Sequence, residues 1–488
     1  MEQALALVDV LERELMNRRP DIDRNEAYYG GDQPLKYASD QFRKFHADRY
    51  KGFADNWVQI VSDSPVERLT ANGIQPAGAD KADEESWRVW QANGLDADSQ
   101  LGFLGAVNSG RSFVLVWGNP DDEQTPEVTF EDASQCIVLY EPGSRRKRRA
   151  ALKRWSDGEV EYATLYLPDE MFKFERAPLG TPDKSVAVRE AEQASRWSLR
   201  TVEDAWQPNP LGVVPMVELP NRPRLTHDPI SDVTGVIAMQ DAVNLLWSQL
   251  FTATDIAAFP ARIILGGERP MIPLLNEAGE VVGERPVDMD RFAIDRVMHL
   301  TGENVSIDEW TATNLNAYTD IIEVAVGHIA AQTRTPQHYL IGKMANLSGD
   351  ALIAAETGLV KRVQEKQVWF GQALREMYRL IALAQGNEAK AKAISGGTVL
   401  WADAASRSQA QTADAILKLR QIGFPFEYLA LTYGLSPAEL VNVLAMRDRE
   451  LQADPMGALT QMMAHDPRQA QTEADDDKPS SPAAPEAA

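Results

Sequence analysis

A helical pattern of about 38 residues, from about Ser348 to Gln385, sets the scale of this fold, because at 1.5 Å per residue it runs about 57 Å. A helix of that length exceeds the usual globular one and implies a large or oligomeric body around it. Its inward side reads Leu352, Leu359, Val363, Phe370, Leu374, Met377 and Ile381. Ser348 or Asp350 can cap its start and Gly386 can end it.

Two earlier helical stretches, Asp228–Ala258 and Ser306–Thr333, contain eight carboxylates between them and no Lys or Arg, in a chain with 49 basic residues. Asp228-Pro229 predicts an N-cap with Pro at the first helical position. Val233, Val236, Ile237, Met239, Val243, Leu246, Leu250 and Phe251 then surround that helix with apolar groups until Pro260. In the second stretch Asp308, Glu309, Asp320 and Glu323 fall within an arc of about 120° of a helix starting near Ser306. Trp310, Leu315, Tyr318, Ile321, Ile322 and Ile329 cover most of its opposite side. Such a helix pair cannot grip a polyanion, since phosphate affinity comes from Lys and Arg. It can line a passage through which a polyanion slides. Between the two stretches, short strands are predicted at 262–265, 281–284 and 297–300.

Bulk properties narrow the function classes. With 72 acids the net charge is −23, which argues against a tight nucleic-acid or anionic-membrane binder. Cys136 is the only cysteine, and the six histidines show no HExxH spacing, so neither a thiolate metal site nor metal catalysis is expected. The N-terminus carries acids where a signal peptide carries bases, and no apolar run approaches membrane-spanning length, which predicts a soluble, reducing compartment. GxxxxGK[ST], GxSxG and GxGxxG are absent, and Gly342-Lys343 lacks the rest of a P-loop. No catalytic residue and no cofactor are expected. Paired carboxylates lie on regular helical faces and read as solvated surface.

The rest of the chain alternates in kind. Residues 1–19 read as an amphipathic helix on Leu5, Val8, Leu11 and Leu15, with a break at Tyr28-Tyr29-Gly30-Gly31. Helical periodicity resumes at Asn56-Trp57 and extends through Leu69 to Asn72-Gly73; further helices are predicted over 83–93 and 96–108. From Ser112 to about Leu219 the pattern is β, with strands at 112–117, 127–131, 136–140, 149–155, 162–167 and 171–176. The pentad Arg145–Arg149 reads as a solvated hairpin loop in preference to a phosphate contact, since no aromatics interleave it. Residues 177–205 are a polar excursion of no evident purpose. Helical pieces return over 412–422 and 426–433, and Ser436-Pro437-Ala438-Glu439 is a capping box for one more. The tail, with Asp475-Asp476-Asp477, is too poor in apolar residues to pack.

This order, with its local motifs, resembles the portal proteins of long-tailed double-stranded DNA phages. The motifs are Tyr28-Tyr29-Gly30, Asn56-Trp57, Val66-Glu67-Arg68-Leu69 and Gly110-Arg111-Ser112-Phe113-Val114. Ala151-Leu152-Lys153-Arg154-Trp155, Leu211-Gly212-Val213-Val214-Pro215, and Thr335-Pro336 ahead of Ser348-Gly349 complete the set, over about residues 1–450. The resemblance implies an α+β, mainly helical fold: wing 1–227, stem helix 228–258, small β-containing clip 259–305, stem helix 306–333 and tunnel loop 334–347. A long wing spine helix (348–399), a helical crown (400–455) and an acidic disordered tail (456–488) follow.

It further implies a homo-oligomeric ring of about twelve copies at one capsid vertex. Such a ring passes double-stranded DNA without sequence specificity and docks the terminase large subunit, then a head-tail adaptor, among major capsid and scaffolding proteins. It is a virion component made in the host cytoplasm. On this reading Asp308, Glu309, Asp320 and Glu323 face the bore, repelling phosphate over about 10 Å or less at physiological salt. Gln337, His338, Tyr339, Lys343 and Asn346 are the tunnel-loop candidates. Competing readings are a non-channel minor capsid or adaptor protein, and a nucleic-acid-processing packaging enzyme.

Overall fold

The computed structural model describes residues 1–40, 53–177, 196–258, 262–265, 271–276, 279–286, 306–309, 314–342, 349–405, 409–435 and 437–453. The expected strand at 297–300, Lys343, Asn346, the Ser348 and Ser436 caps, most of the 177–205 excursion and the acidic tail lie outside them. The fold is α+β and mainly helical.

Helix α1 (Glu2–Tyr29) continues well beyond the expected 1–19, with Pro20 inside it, because Ile22, Asn25 and Tyr28 prolong the buried stripe of Ala4, Val8, Leu11 and Leu15. That stripe lies on an antiparallel sheet in which β4 (Cys136–Tyr140), β5 (Arg148–Ser156), β6 (Glu161–Tyr166) and β7 (Glu170–Arg176) pair in chain order. Short β8 (Ser198–Leu199) and β9 (Trp206–Pro208) both pair with β7. Leu152, Leu165, Phe172 and Phe174 meet the helix there. Glu12 of α1 is held by Arg176 at 2.5 Å and by the Trp197 indole N–H at 2.9 Å, which fastens the described end of the polar excursion to the sheet.

Helix α2 (Trp57–Val66) stops short of the expected end. Residues Ala71–Gln75 form strand β1, which pairs with β15 (Thr398–Trp401), so pairing with the far end of the chain overrides the helical pattern through Leu69. Helices α3 (Glu84–Ala92) and α4 (Leu95–Ser109) follow as expected, and Asp83 caps α3 by accepting the Ser86 N–H at 2.8 Å. Strand β2 (Arg111–Trp117) is the centre of a three-stranded sheet between β10 (Met216–Pro220) and β3 (Glu127–Glu131).

The spine helix α8 (Gly349–Ala384, 36 residues) matches its expected span and crosses this sheet. Phe370 stacks on Phe103 of α4 with centroids 5.3 Å apart and planes 3° from parallel; Tyr378 stacks on Trp90 at 6.0 Å. Leu359, Val363, Leu374, Met377 and Ile381 are fully buried alongside. Helix α9 (Glu388–Ser395) leads into β15. Helices α10 (Gln409–Gln421), α11 (Phe426–Tyr433) and α12 (Pro437–Ala453) make a small terminal bundle.

Two antiparallel helices' worth of chain leave this body: α5 (Ile237–Ala258) and α6 (Asn316–Thr333), which pack on each other. Between them β11 (Arg262–Leu265) pairs with β14 (Ser306–Glu309), and β12 (Met271–Leu275) pairs with β13 (Val281–Pro286). A short α7 (Gln337–Ile341) then precedes the spine.

Two expectations are corrected here. Helix α5 begins at Ile237, not at Asp228, and Asp228 does not cap it. The Asp228 carboxylate instead takes a 2.5 Å bond from Arg111, and the stretch 232–236 is turn. Ser306–Glu309 is strand, not helix, so Asp308 and Glu309 do not continue the face that carries Asp320 and Glu323. The strand Arg262–Leu265 supplies the partner edge that converts those residues to β.

Candidate functional site

The two cation-free helices, the turn after α6 and the spine meet at one buried ionic cluster. Asp232, in the turn before α5, accepts hydrogen bonds through one carboxylate oxygen from Arg362 and Lys366 of α8, each at 2.6 Å. Its other oxygen takes the Asn221 amide at 3.2 Å and lies 3.5 Å from the Arg222 guanidinium. Lys366 also donates to Asn221 at 2.5 Å. Arg362 donates to the Val61 carbonyl of α2 at 3.1 Å and to the Thr333 carbonyl at the end of α6 at 3.0 Å. Asp232 and Arg362 together therefore tie the start of the α5 arm, the end of the α6 arm, α2 and the spine.

Burial by itself pushes the Asp232 carboxyl up, but Lys366 and Arg362 outweigh it and hold the group far below the usual carboxylate range. Burial pushes Lys366 down to about 8 against the pull of Asp232. The backbone supports the arrangement: the Asp232 N–H donates to the Val107 carbonyl at 3.0 Å, and Asn221 N–H to that of Gly110 at 2.9 Å. Gly110 sits at φ +85, and a Cβ there would come within 3.1 Å of the Pro229 carbonyl, so only glycine lets the two segments approach.

A second buried polar cluster seats α5 against the N-terminal segment. Tyr28 donates to the buried Asp241 at 2.5 Å, and Asp241 is pushed up by burial, with Tyr28 and Lys36 opposing. Gln240 donates to the Asp55 carbonyl at 2.6 Å and Asn244 to Gln33 at 2.6 Å. Tyr29 donates to Asp63 at 2.9 Å, so both tyrosines of the pair anchor to acids. The expectation that these carboxylates were solvated helix face is corrected for Asp232 and Asp241, which face the body. Their polar neighbours Gln240 and Asn244 are i,i+4 and, with Asp241 and Ser248, make a polar stripe on an otherwise apolar helix, whereas Asn221 carried no such signal. A second clue was cationic, since Arg362 and Lys366 are i,i+4 on a helix whose other inward residues are apolar.

Helix α6 buries Ile322, Val326 and Ile329 against Val243 and Leu250 of α5 and turns Asp320 and Glu323 outward. Its outer face is mixed, because Ile321 and Val324 are 53% and 60% exposed beside them. The α7 candidates divide. Gln337 is exposed. The Tyr339 hydroxyl is bound by Arg68 at 2.5 Å and lies 3.3 Å from Glu356, and the His338 ring is 4.0 Å from the same Glu356. Tyr339 is therefore tethered to the spine and to Arg68 of the Val66–Leu69 motif, while His338 stands beside Glu356 beyond hydrogen-bond distance. The Arg145–Arg149 run is also structural in part, since Arg148 pairs with Glu376 of α8 at 2.7 Å and with the Val214 carbonyl at 3.1 Å. Among the described residues no group of three or more His, Cys, Asp or Glu is placed to hold a metal, and no helix is long and apolar enough to cross a membrane.

Comparison with known proteins bears on this arrangement. Residues 9–429 match the family described as phage portal protein, SPP1 Gp6-like. The portal protein of Mycobacterium phage D29 is 29% identical over 425 residues, covering 84% of this chain and 81% of the relative. That of Mycobacterium phage L5 is 28% identical over 425 residues with the same coverage. Among solved structures, a chain from the virion of a native gene transfer agent particle is similar over 82% of this chain and 94% of its own, at 10% identity and a TM-score of 0.42. The chain belongs to the SPP1 Gp6-like family of phage portal proteins.

Proposed function

We propose that this portal protein assembles as a ring of about twelve copies at one capsid vertex, forming the channel for entry and exit of double-stranded DNA. The supporting observation is the cation-free arm of α5 and α6, clamped at both of its ends to the spine through Asp232 and Arg362. An arm without Lys or Arg offers phosphate nothing to displace counterions with, so DNA slides past it. Helices 237–258 and 316–333 are the stem, and the strands between them, including 306–309, are the clip. The body to residue 227 with the spine is the wing, 334–347 the tunnel loop and 400–455 the crown.

Asp320 and Glu323 are the bore-lining candidates, while Asp308 and Glu309 move to the clip strand. In the tunnel loop Gln337, His338, Lys343 and Asn346 are candidates for transient DNA contact, with Tyr339 as a tether. The terminase large subunit, a head-tail adaptor, and major capsid and scaffolding proteins are the partners in this reading, and the virion is its location after synthesis in the host cytoplasm.

Native mass spectrometry with negative-stain imaging tests it. A species near 650 kDa, about twelve copies of a 54.0 kDa chain, with an open centre is the expected result. A compact monomer that stays monomeric with capsid and scaffold present would favour a non-channel capsid component. Nucleotide hydrolysis or DNA cleavage by the purified chain would revive a packaging enzyme.

A further inference from the structure

A cavity of about 290 Å³ opens beside the Asp232 cluster, and its charges do not balance. Among the described residues Arg222, Arg334, Arg362 and Lys366 line it against two carboxylates, Asp232 and Glu365. Arg362 and Lys366 are buried, with side chains 8% and 2% exposed, and both rest on the single Asp232 carboxylate. An excess cation out of water is costly unless a counter-charge meets it. Lys366 has three N–H donors, of which two are used, on Asn221 and Asp232.

The rim carries an independent mark. Among the described residues only two non-glycine residues have positive φ, Arg222 at 48 and Arg334 at 55, and both line this cavity. The left-handed region costs such a residue on the order of 1–2 kcal/mol relative to ordinary backbone. Arg334 occupies the position after α6 where glycine is the usual residue. Both guanidiniums stay partly in water: Arg222 is 48% exposed and Arg334 59%, the latter only 3.9 Å from Glu365 in a loose surface pair. Opposite Arg334, Gly358 of the spine leaves the room a side chain would take, since a Cβ there would lie 3.3 Å from the Arg334 Cβ.

We propose that this cavity is a binding site for a small inorganic oxyanion of the phosphate or sulfate class, held by Arg222 and Arg334 at the rim and by the third N–H of Lys366 beneath, with Arg362 adding its charge alongside. Guanidinium forks and an ammonium converging on one space match a multi-acceptor anion. The bound ion braces the end of α6, which carries Arg334, to the segment after β10, which carries Arg222, and to the spine. The stem anchor thereby becomes stiffer when the ion is present. Every ligating residue comes from one chain, so the site does not depend on the ring reading, and the mass measurement above tests that reading separately.

The test titrates the purified full-length chain with sodium phosphate and with sodium sulfate against sodium chloride at matched ionic strength, following Tm and the phosphorus-31 line width of the phosphate. The expected result is a saturable Tm rise of about 2–4 °C, with broadening of the phosphate resonance. Arg222→Gln combined with Arg334→Gln removes both responses while the starting Tm in chloride moves by about 1 °C or less. Should the double variant fold poorly, Arg222→Gln alone, on a half-exposed side chain, reads the same loss. Equal Tm in all three salts overturns the proposal. So does a rise that never saturates, which is general salt exclusion from the protein surface, or a response that survives in the double variant. A response to a short DNA duplex but not to phosphate overturns it in favour of a DNA-backbone contact. A response confined to unassembled chain overturns it in favour of an acidic side chain from a neighbouring copy.

Discussion

The core around the spine helix and the arm that leaves it are built on opposite plans. Along the inward face of α8 from Phe370 onward the contacts are apolar and aromatic: Phe103 on Phe370, Trp90 on Tyr378, with Leu374, Met377 and Ile381 fully buried. The α5–α6 arm buries Asp232, Gln240, Asp241 and Asn244 at its root. At its far end it exposes Met271, Leu274, Leu275, Val281 and Val282 on a two-stranded hairpin. A lone hairpin is marginal in water, and an apolar one more so. The spine core is closed by contacts within one chain. The arm is positioned by charge at its base and leaves apolar surface at its tip, as suits an element finished by assembly.

The comparison breaks most sharply at Asp232. Asp232→Asn leaves Arg362 and Lys366 buried without a carboxylate, and a loss of about 3–5 kcal/mol in chemical denaturation at neutral pH is expected. The Asp232 carboxyl is held below its unfolded value, so its contribution is fully present above about pH 4 and fades as pH falls towards the folded value. The stability gap between wild type and Asp232→Asn should therefore narrow from about pH 4 downward; a gap that is flat or widens on acidification would contradict the ionic account.

Phe370→Ala probes the dry core in the same assay. A loss of about 3–5 kcal/mol is expected, without pH dependence between about pH 3 and 7, which separates it from the ionic anchor. At the arm's tip, Leu275→Ser with Val282→Ser should leave chain stability within about 0.5 kcal/mol, because both side chains are already exposed. The same pair should shift the assembly equilibrium towards smaller species in native mass spectra; unchanged assembly would sink the idea that this surface is covered by a neighbouring copy or an adaptor. Smallest in stability is Asp320→Lys with Glu323→Lys on the outward face of α6, again within about 0.5 kcal/mol. Its expected signature is retention of double-stranded DNA by assembled rings, weakening steeply as salt rises. Rings that release DNA as readily as wild type would place these acids away from the bore.

Much of this molecule follows from local pattern. Apolar spacing at three and four residues specified α8 over nearly its full length, because a long buried stripe admits no other periodicity. Strands β2 to β7 were legible from short runs rich in β-branched and aromatic residues between turn signals, and α3 from its Asp83 cap. The absence of Lys and Arg from α5 and α6 is likewise a property of sequence alone. Tertiary structure decided what local signals cannot carry. Asp228-Pro229 has all the marks of a helix start, yet Arg111 claims the aspartate and the helix waits until Ile237. Ser306–Glu309 continues a helical period, yet an available strand edge at Arg262–Leu265 makes it β. Residues Asp232, Arg362 and Lys366 lie 130 and 134 positions apart, and nothing in their spacing announces that they share one carboxylate. Hydrophobic periodicity reports which face of an element is buried. Which charge waits on the other side of that burial depends on segments that meet only when the chain has folded.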